Sequence, residues 1–95
     1  MKCLKANYLE FVPAESEELF FNIFCSKTED NGLQDYKHIG WISKPSNKDV
    51  WCFEANYNKG TFMFTQDTLE IILETIKRLN NGKITYNAET GDWEI

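Results

Sequence analysis

Three cysteines and one histidine are the side chains of this sequence with the most versatile chemistry. Cys3, Cys25, His38 and Cys52 could together hold zinc, or a thiolate could act as a nucleophile beside an imidazole base. They are separated by 21, 12 and 13 intervening residues, whereas zinc ligands usually occur in close pairs. We therefore expect no metal site and three reduced, buried cysteines that behave as small apolar residues. An odd number of widely spaced cysteines also favours the cytoplasm over a secreted disulfide framework.

No local motif indicates a catalytic centre. His38 is the only histidine, and neither a nucleophile elbow nor a glycine-rich phosphate loop is present. A small enzyme that uses Cys25, Cys52 or His38 stays open as a hypothesis, because residues distant in sequence can meet in the fold. The prediction is a protein without catalytic residues and without a cofactor.

Clusters of carboxylates are more distinctive. The chain has 15 acidic and 10 basic residues, a net charge of −5, and Arg78 is its one arginine. This balance argues against direct binding of nucleic acid or of an anionic membrane, which need a positive surface. There are two clusters: Glu15, Glu17 and Glu18 after Pro13, and Glu29 and Asp30 in the predicted turn that contains Asn31-Gly32. They are either solvated turns or a patch that docks on a basic protein surface, since opposite fields steer association.

Aromatic residues, 15% of the chain, are the second set of candidate contact residues. Trp41, Trp51 and Phe53 are predicted to lie in the core. Tyr57 and Trp93 lie near turns or the C-terminus, and we expect them to contact a partner because tyrosine and tryptophan dominate interface hot spots.

The first half of the chain is predicted to consist of strands. Residues 2–12 predict one strand that ends at Pro13. Residues 15–25 could form a helix with acids at its N-terminus, but aromatic content and the Asn-Gly turn that follows favour a strand. Residues 36–43 predict the next strand, in which Gly40 marks a bulge or a close backbone approach. Strict alternation gives the faces: Leu4, Ala6, Tyr8 and Val12 opposite Leu9 and Phe11; Phe20 and Phe24 opposite Phe21 and Ile23; Ile39 and Trp41 opposite Tyr36, His38 and Ile42.

The second half contains the clearest element, a helix over about residues 66–80. Thr65 or Asp67 can cap its N-terminus, and Gly82 can end it in the left-handed conformation. Its apolar stripe has helical period and is predicted to face the sheet: Leu69, Ile72, Leu73, Ile76 and Leu79. A strand is predicted at residues 50–57, a short strand or an extended lead-in to the helix at 61–64, and a terminal hairpin at 83–86 and 93–95.

These elements predict a single α+β domain over residues 1–95. Its architecture is an antiparallel meander of about five to seven strands with one amphipathic helix packed on it. No apolar run approaches the ~20 residues of a membrane helix, and no signal peptide is visible.

Three segments form a recognisable pattern: Gly40-Trp41-Ile42, Trp51-Cys52-Phe53, and Thr65 with Leu69, Ile72, Ile76 and Leu79-Asn80. This pattern resembles small uncharacterised bacteriophage proteins. The resemblance covers roughly residues 36–80 and contains no catalytic motif. It implies a phage or prophage protein that acts in the cytoplasm of a low-GC bacterial host.

Small acidic phage proteins without enzymatic motifs often inhibit host machinery, as anti-CRISPR proteins do. The resemblance and the charge together predict a non-enzymatic inhibitor. We expect it to bind a host nucleic-acid-handling protein, such as a CRISPR effector, through an acidic and aromatic surface and to block it sterically. The alternative is a homo-oligomeric structural or accessory phage protein, possible because an unpaired strand edge can pair with a second copy.

Overall fold

A computed structural model of the chain describes residues 3–14, 20–28, 34–45, 47–56, 63–87, 89–90 and 92–94. Within these residues, five strands form one antiparallel sheet in sequential order: β1 (Leu4–Ala6), β2 (Leu9–Pro13), β3 (Phe20–Thr28), β4 (Gln34–Ser43) and β5 (Cys52–Ala55). The helix α1 (Gln66–Asn80) follows β5, and β6 (Thr85–Asn87) then pairs with β7 (Asp92–Glu94). The architecture is α+β, a five-stranded antiparallel meander with one helix, as the sequence predicts. The strand interpretation is confirmed for residues 20–25, and residues 15–19 lie outside the described part.

The single strand predicted for residues 2–12 is wrong, because the chain reverses at Asn7 and Tyr8. Ala6 then pairs with Leu9 across a two-residue turn. Asn7 has a φ of 57°, in the left-handed region that asparagine adopts more readily than most side chains. Cross-strand partners share a face, so the turn brings Leu4, Leu9 and Phe11 together in the core, where one continuous strand would separate them.

Alternation along the strands divides the sheet into two faces. On β3, Phe21, Ile23 and Cys25 are buried, and the residues between them are half-buried. We call the buried side the inner face; it packs with the helix, and the core consists of Leu4, Leu9, Phe11, Phe21, Ile23, Cys25, Ile39, Ile42, Trp51, Ile72, Leu79 and Ile84. The opposite side of the sheet is the outer face. The predicted separation of Phe20 and Phe24 from Phe21 and Ile23 is confirmed.

A β-bulge changes the faces of β4. Ile23 pairs with Gly40 and Phe24 pairs with His38, so Ile39 is an extra residue without a partner on β3. The extra residue shifts the alternation by one position. Ile39 and Ile42 are therefore both buried, and the predicted grouping of Ile39 with Trp41 is wrong. Trp41 lies opposite Asn22, on the outer face, and is half-buried instead of belonging to the core as predicted.

Gly40 allows β4 and β5 to lie unusually close. A β-carbon at Gly40 would collide with the carbonyl oxygen of Glu54 and press on the Cα atom of Ala55. Both features expected of this glycine, a bulge and a close approach, are present. β5 is shorter than the predicted strand 50–57: Trp51 is buried just before it, and Tyr57 lies outside the described residues. Residues 63 and 64 are described but not in a strand.

Capping residues define both ends of α1. The backbone N–H of Thr68 donates to Oγ1 of the N-cap Thr65, at 3.3 Å. At the other end, Gly82 has a φ of +75°, and its N–H donates to the Leu79 carbonyl at 3.2 Å. The N–H of Lys83 donates to the Arg78 carbonyl at 2.9 Å, which completes a Schellman motif. The predicted helix boundaries are confirmed.

The helix is rotated away from the predicted orientation. Its buried residues are Thr68, Ile72, Thr75 and Leu79, whereas Leu69 and Leu73 keep 47% and 51% of their surface exposed. Each buried threonine hydroxyl has a partner. Thr68 Oγ1 lies 2.6 Å from the Tyr8 hydroxyl, and Thr75 Oγ1 donates to the Ile71 carbonyl at 3.0 Å. Satisfied hydroxyls make these threonines acceptable in the core.

The three cysteines differ in burial. Cys25 is buried as predicted, Cys52 is half-buried, and Cys3 is exposed, contrary to the prediction. Of the described residues, no helix has the length and apolarity needed to cross a membrane.

Candidate functional site

The residues predicted to contact a partner lie largely outside the described part of the chain. This applies to Glu15, Glu17, Glu18, Glu29, Asp30 and Tyr57. The backbone of Trp93 lies in β7, where it pairs with Tyr86, and its side chain is not described. Connectivity attaches the two acidic clusters at opposite ends of β3, one before Phe20 and one after Thr28.

Four rings form a continuous row on the outer face, which we call the aromatic row: Tyr36, Phe24, His38 and Trp41. Tyr36 and Phe24 are stacked, with ring centroids 4.9 Å apart and planes 7° from parallel. Phe24 meets the His38 ring edge to face at 5.1 Å, and His38 is stacked with Trp41 at 6.1 Å. Such arrangements stabilise aromatic pairs beyond the area they bury. The row therefore forms an ordered surface along β3 and β4.

Two asparagines fix the orientation of His38. Asn56 Nδ2 donates to His38 Nδ1 at 2.7 Å, and His38 Nε2 lies 3.1 Å from Asn22 Oδ1. Because Nδ1 accepts, the ring proton lies on Nε2, which donates to Asn22. Asn22 is in β3 and Asn56 directly follows β5, so the hydrogen bonds of one imidazole connect β4 to β3 and to the residue after β5.

A carboxylate accepts a hydrogen bond from Tyr36, at one end of the aromatic row. The Tyr36 hydroxyl donates to Glu10 Oε2 at 3.0 Å, across from β4 to β2. Partial desolvation, this hydrogen bond and the negative charge of Glu10 raise the pKa of Tyr36 to about 12. Tyr36 is still 51% exposed, so its ring remains accessible to a partner.

Acidic residues lie at both ends of the aromatic row. Glu10 binds Tyr36 at one end, and Glu54, which is exposed, pairs with Trp41 at the other. Lys5, on the edge strand β1, is the cross-strand neighbour of Glu10 on β2. A surface depression of about 480 Å³ adjoins the Tyr36 end and is lined in part by Lys5, Glu10 and Ser26. The outer face thus combines aromatic rings with carboxylates.

Replacing Glu10 with glutamine is expected to lower the pKa of Tyr36 from about 12 toward its ordinary value near 10. The pKa of Tyr36 is higher in the folded protein than in the unfolded chain. The contribution of this group to the free energy of unfolding is therefore complete below about pH 10 and is lost as the pH rises toward 12. The loss of unfolding free energy over this range should be smaller in Glu10→Gln. The titration of Tyr36 is measured by phenolate absorbance, as the difference between proteins with Tyr36 and the matching Tyr36→Phe variants. An unchanged Tyr36 pKa in the glutamine variant would contradict the role given to Glu10.

Part of the aromatic row could be found from the sequence, and part could not. Alternation on β3 places Phe24 on the outer face, and Tyr36 and His38 share a predicted face. Trp41 was missed because a bulge at Ile39 moves it onto that face. The signal available for the bulge is Gly40.

The groups considered for catalysis or metal binding are not brought together. Cys25 is buried on the inner face, opposite Lys37, whereas His38 is on the outer face opposite Phe24. Cys52 Sγ lies 3.8 Å from the Val50 carbonyl. Among the described residues, no group of three or more potential ligands is placed to hold a metal ion.

Comparison of the chain with protein-family models, with curated proteins and with solved structures finds no match.

Proposed function

We propose that the protein is a non-enzymatic protein-binding domain encoded by a phage or prophage, and that its outer face binds a host nucleic-acid-handling protein and blocks it sterically. The observation that carries the proposal is the aromatic row between Glu10 and Glu54. A CRISPR effector is an example of such a target. The protein acts in the cytoplasm of the host bacterium.

The chemistry of this surface fits basic side chains. Arginine and lysine bind over the faces of tryptophan, tyrosine and phenylalanine, with about 0.5–2 kcal/mol for each good contact. A neighbouring carboxylate adds a charge-assisted hydrogen bond, which arginine can make with two nitrogens at once. Glu10 and Glu54 lie where they can supply this second contact. The partner is therefore a protein with a basic surface, which in a cell is commonly a nucleic-acid channel.

The net charge of −5 supports the same partner class, since it favours approach to a basic surface and opposes direct binding of nucleic acid. The acidic clusters predicted from the sequence remain part of the proposal. Glu15, Glu17 and Glu18 would extend the contact from one end of β3, and Glu29 and Asp30 from the other. Tyr57 and Trp93 would add aromatic contacts.

The test begins with capture of a partner from nuclease-treated lysate of a low-GC bacterium that carries CRISPR systems. The captured protein is then purified, and its affinity is measured by calorimetry with and without its nucleic acid. We expect nucleic acid to compete with the inhibitor. Trp41→Ala or Tyr36→Ala should weaken binding by about 30-fold or more, as for a hot-spot residue. Reversal of Glu10 and Glu54 to lysine should weaken it by more than about tenfold.

Gln66→Ala is the control, because Gln66 is exposed in the first turn of α1, and α1 packs on the inner face of the sheet. It should bind like the wild-type protein. Circular dichroism confirms that each variant is folded. Binding that is indifferent to both nucleic acid and the outer-face variants would overturn the proposal. Two further variants reverse to lysine either Glu15, Glu17 and Glu18 or Glu29 and Asp30. If only these variants lose binding, the contact surface is the corresponding acidic cluster and not the outer face.

A further inference from the structure

The helix carries a second exposed apolar surface, on the other side of the sheet from the outer face. Leu69 and Leu73 lie one turn apart and are about half exposed, and Ile76 on the next turn is only partly buried. We call these three residues the leucine flank. The helix turns two threonines inward and two leucines outward. Leucines that are exposed while threonines of the same helix are buried are typical of a surface that is covered by a partner.

Exposed apolar side chains also lie near both ends of the helix. The Trp51 backbone N–H donates to Asn80 Oδ1 at 3.0 Å, which holds the neighbouring Val50 close to the C-terminal end of the helix. Val50 is 51% exposed, and Met63, two residues before the N-cap, is 83% exposed. Four of the five large hydrophobic side chains exposed in the described part of the chain thus belong to the helix or to residues beside its ends.

The charged residues next to the leucine flank can pair with the same residues of a second copy of the chain. Glu70 follows Leu69 and Lys77 follows Ile76, seven residues further, so the two charges lie on the same side of the helix. When two copies of the helix pack antiparallel around a two-fold axis near Leu73, Glu70 of each copy lies opposite Lys77 of the other. Leu69 then lies opposite Ile76, and Leu73 meets Leu73. In a parallel two-fold pair, the Glu70 and Lys77 side chains of the two copies would lie on opposite sides of the contact and would not form these pairs.

We propose that the leucine flank binds a second copy of this chain, with the two helices antiparallel. The flank spans about 10 Å of helix, far less than the ~800 Å² per partner of a standard stable interface. The dimer is therefore weak and forms at high concentration. It leaves both outer faces free, so a dimer would present two of them to a partner. The proposal does not depend on the proposed function, and each can fail separately.

Sedimentation equilibrium of the full chain between about 10 µM and 1 mM tests the proposal, since weak association shows in this range. We expect the wild-type protein to shift from monomer to dimer. Leu73→Glu should weaken the dimer by about 30-fold or more, because it buries a charge against its twin. Lys5→Gln makes the same change in net charge on β1 and should dimerise like the wild-type protein. A monomer at every wild-type concentration, or an unaffected Leu73→Glu dimer, would overturn the proposal.

A charge exchange tests the antiparallel arrangement independently of Leu73. Glu70→Lys and Lys77→Glu should each weaken the dimer by about five-fold, because each places like charges opposite one another. The double variant restores both pairs with opposite polarity and should dimerise like the wild-type protein. Circular dichroism checks that the helix is retained in all three. Absence of rescue in the double variant would exclude this pairing.

Discussion

Replacement of Phe21 by alanine is expected to lower the free energy of unfolding by about 3–5 kcal/mol, the largest effect predicted for this protein. Phe21 is fully buried on the central strand β3, where its neighbours across the sheet are Pro13 on β2 and Ile42 on β4. Its ring also packs at 6.1 Å from that of Trp51. Alanine would leave a cavity bordered by Pro13, Ile42 and Trp51, and the surrounding backbone is held by strand pairing. Domains of this size are stable by only about 5–15 kcal/mol, so much of the folded population would be at risk.

Phe24→Ala is the matched control, since it removes the same side chain from the same strand but from the outer face. Phe24 is half-buried and packs on Tyr36 and His38. We expect it to cost less than half as much stability as Phe21→Ala. Urea unfolding followed by far-ultraviolet circular dichroism measures both, without relying on Trp51 fluorescence. Equal losses would mean that the outer face is packed as tightly as the core, and would argue against its role as a binding surface.

The sequence predicts the helix boundaries, and it favours strands over a helix in the central hairpin. Thr65 and Gly82 are local signals whose effect is set by the neighbouring backbone, and both act as predicted. Alternating burial along β3 is also local, because successive side chains of a strand point to opposite faces. Elements of this kind need no information from distant parts of the chain.

The N-terminal hairpin depends on a weaker signal. Asn7 is the only described non-glycine residue with positive φ, and neither glycine nor proline accompanies it in the turn. Residues 2–12 therefore read as one alternating strand. The structure instead reverses at the turn because Leu4, Leu9 and Phe11 can then all be buried on one face. Burial in the complete fold, which a local pattern does not contain, decides between the two.

The orientation of the helix was also beyond the sequence. Periodicity alone predicts that the leucines are buried and the threonines exposed, because threonine is more polar than leucine. In the observed orientation, the Thr68 hydroxyl meets that of Tyr8, which lies in a turn 60 residues away in the chain. The same reasoning applies to the aromatic row: its members come from β3 and β4, and Trp41 joins them only through the bulge. Partners that are distant in sequence set both features.

Gly40→Ala is expected to destabilise the protein by about 3 kcal/mol, at the upper end for an added methyl group in a packed site. The atoms that the new methyl group would meet include the Glu54 carbonyl oxygen and the Ala55 Cα atom. These belong to the backbone, so β5 can yield only by moving away from β4. That movement breaks the strand pairing and separates Glu54 from Trp41. We therefore expect both faster hydrogen exchange in β5 and weaker binding at the outer face.

Gly82→Ala provides the comparison that separates crowding from backbone strain. Gly82 has open space around it but a φ of +75°, so alanine there should cost only about 1 kcal/mol through its backbone conformation. It should leave hydrogen exchange in β5 unchanged. If Gly40→Ala cost no more than Gly82→Ala and left β5 protected, the close approach of β4 and β5 would not be what holds Trp41 and Glu54 in place. If hydrogen exchange in β5 becomes faster only in Gly40→Ala, the absence of a side chain at Gly40 is what keeps the edge strand β5 paired beside the bulge. That pairing then also holds the surface proposed to bind a partner.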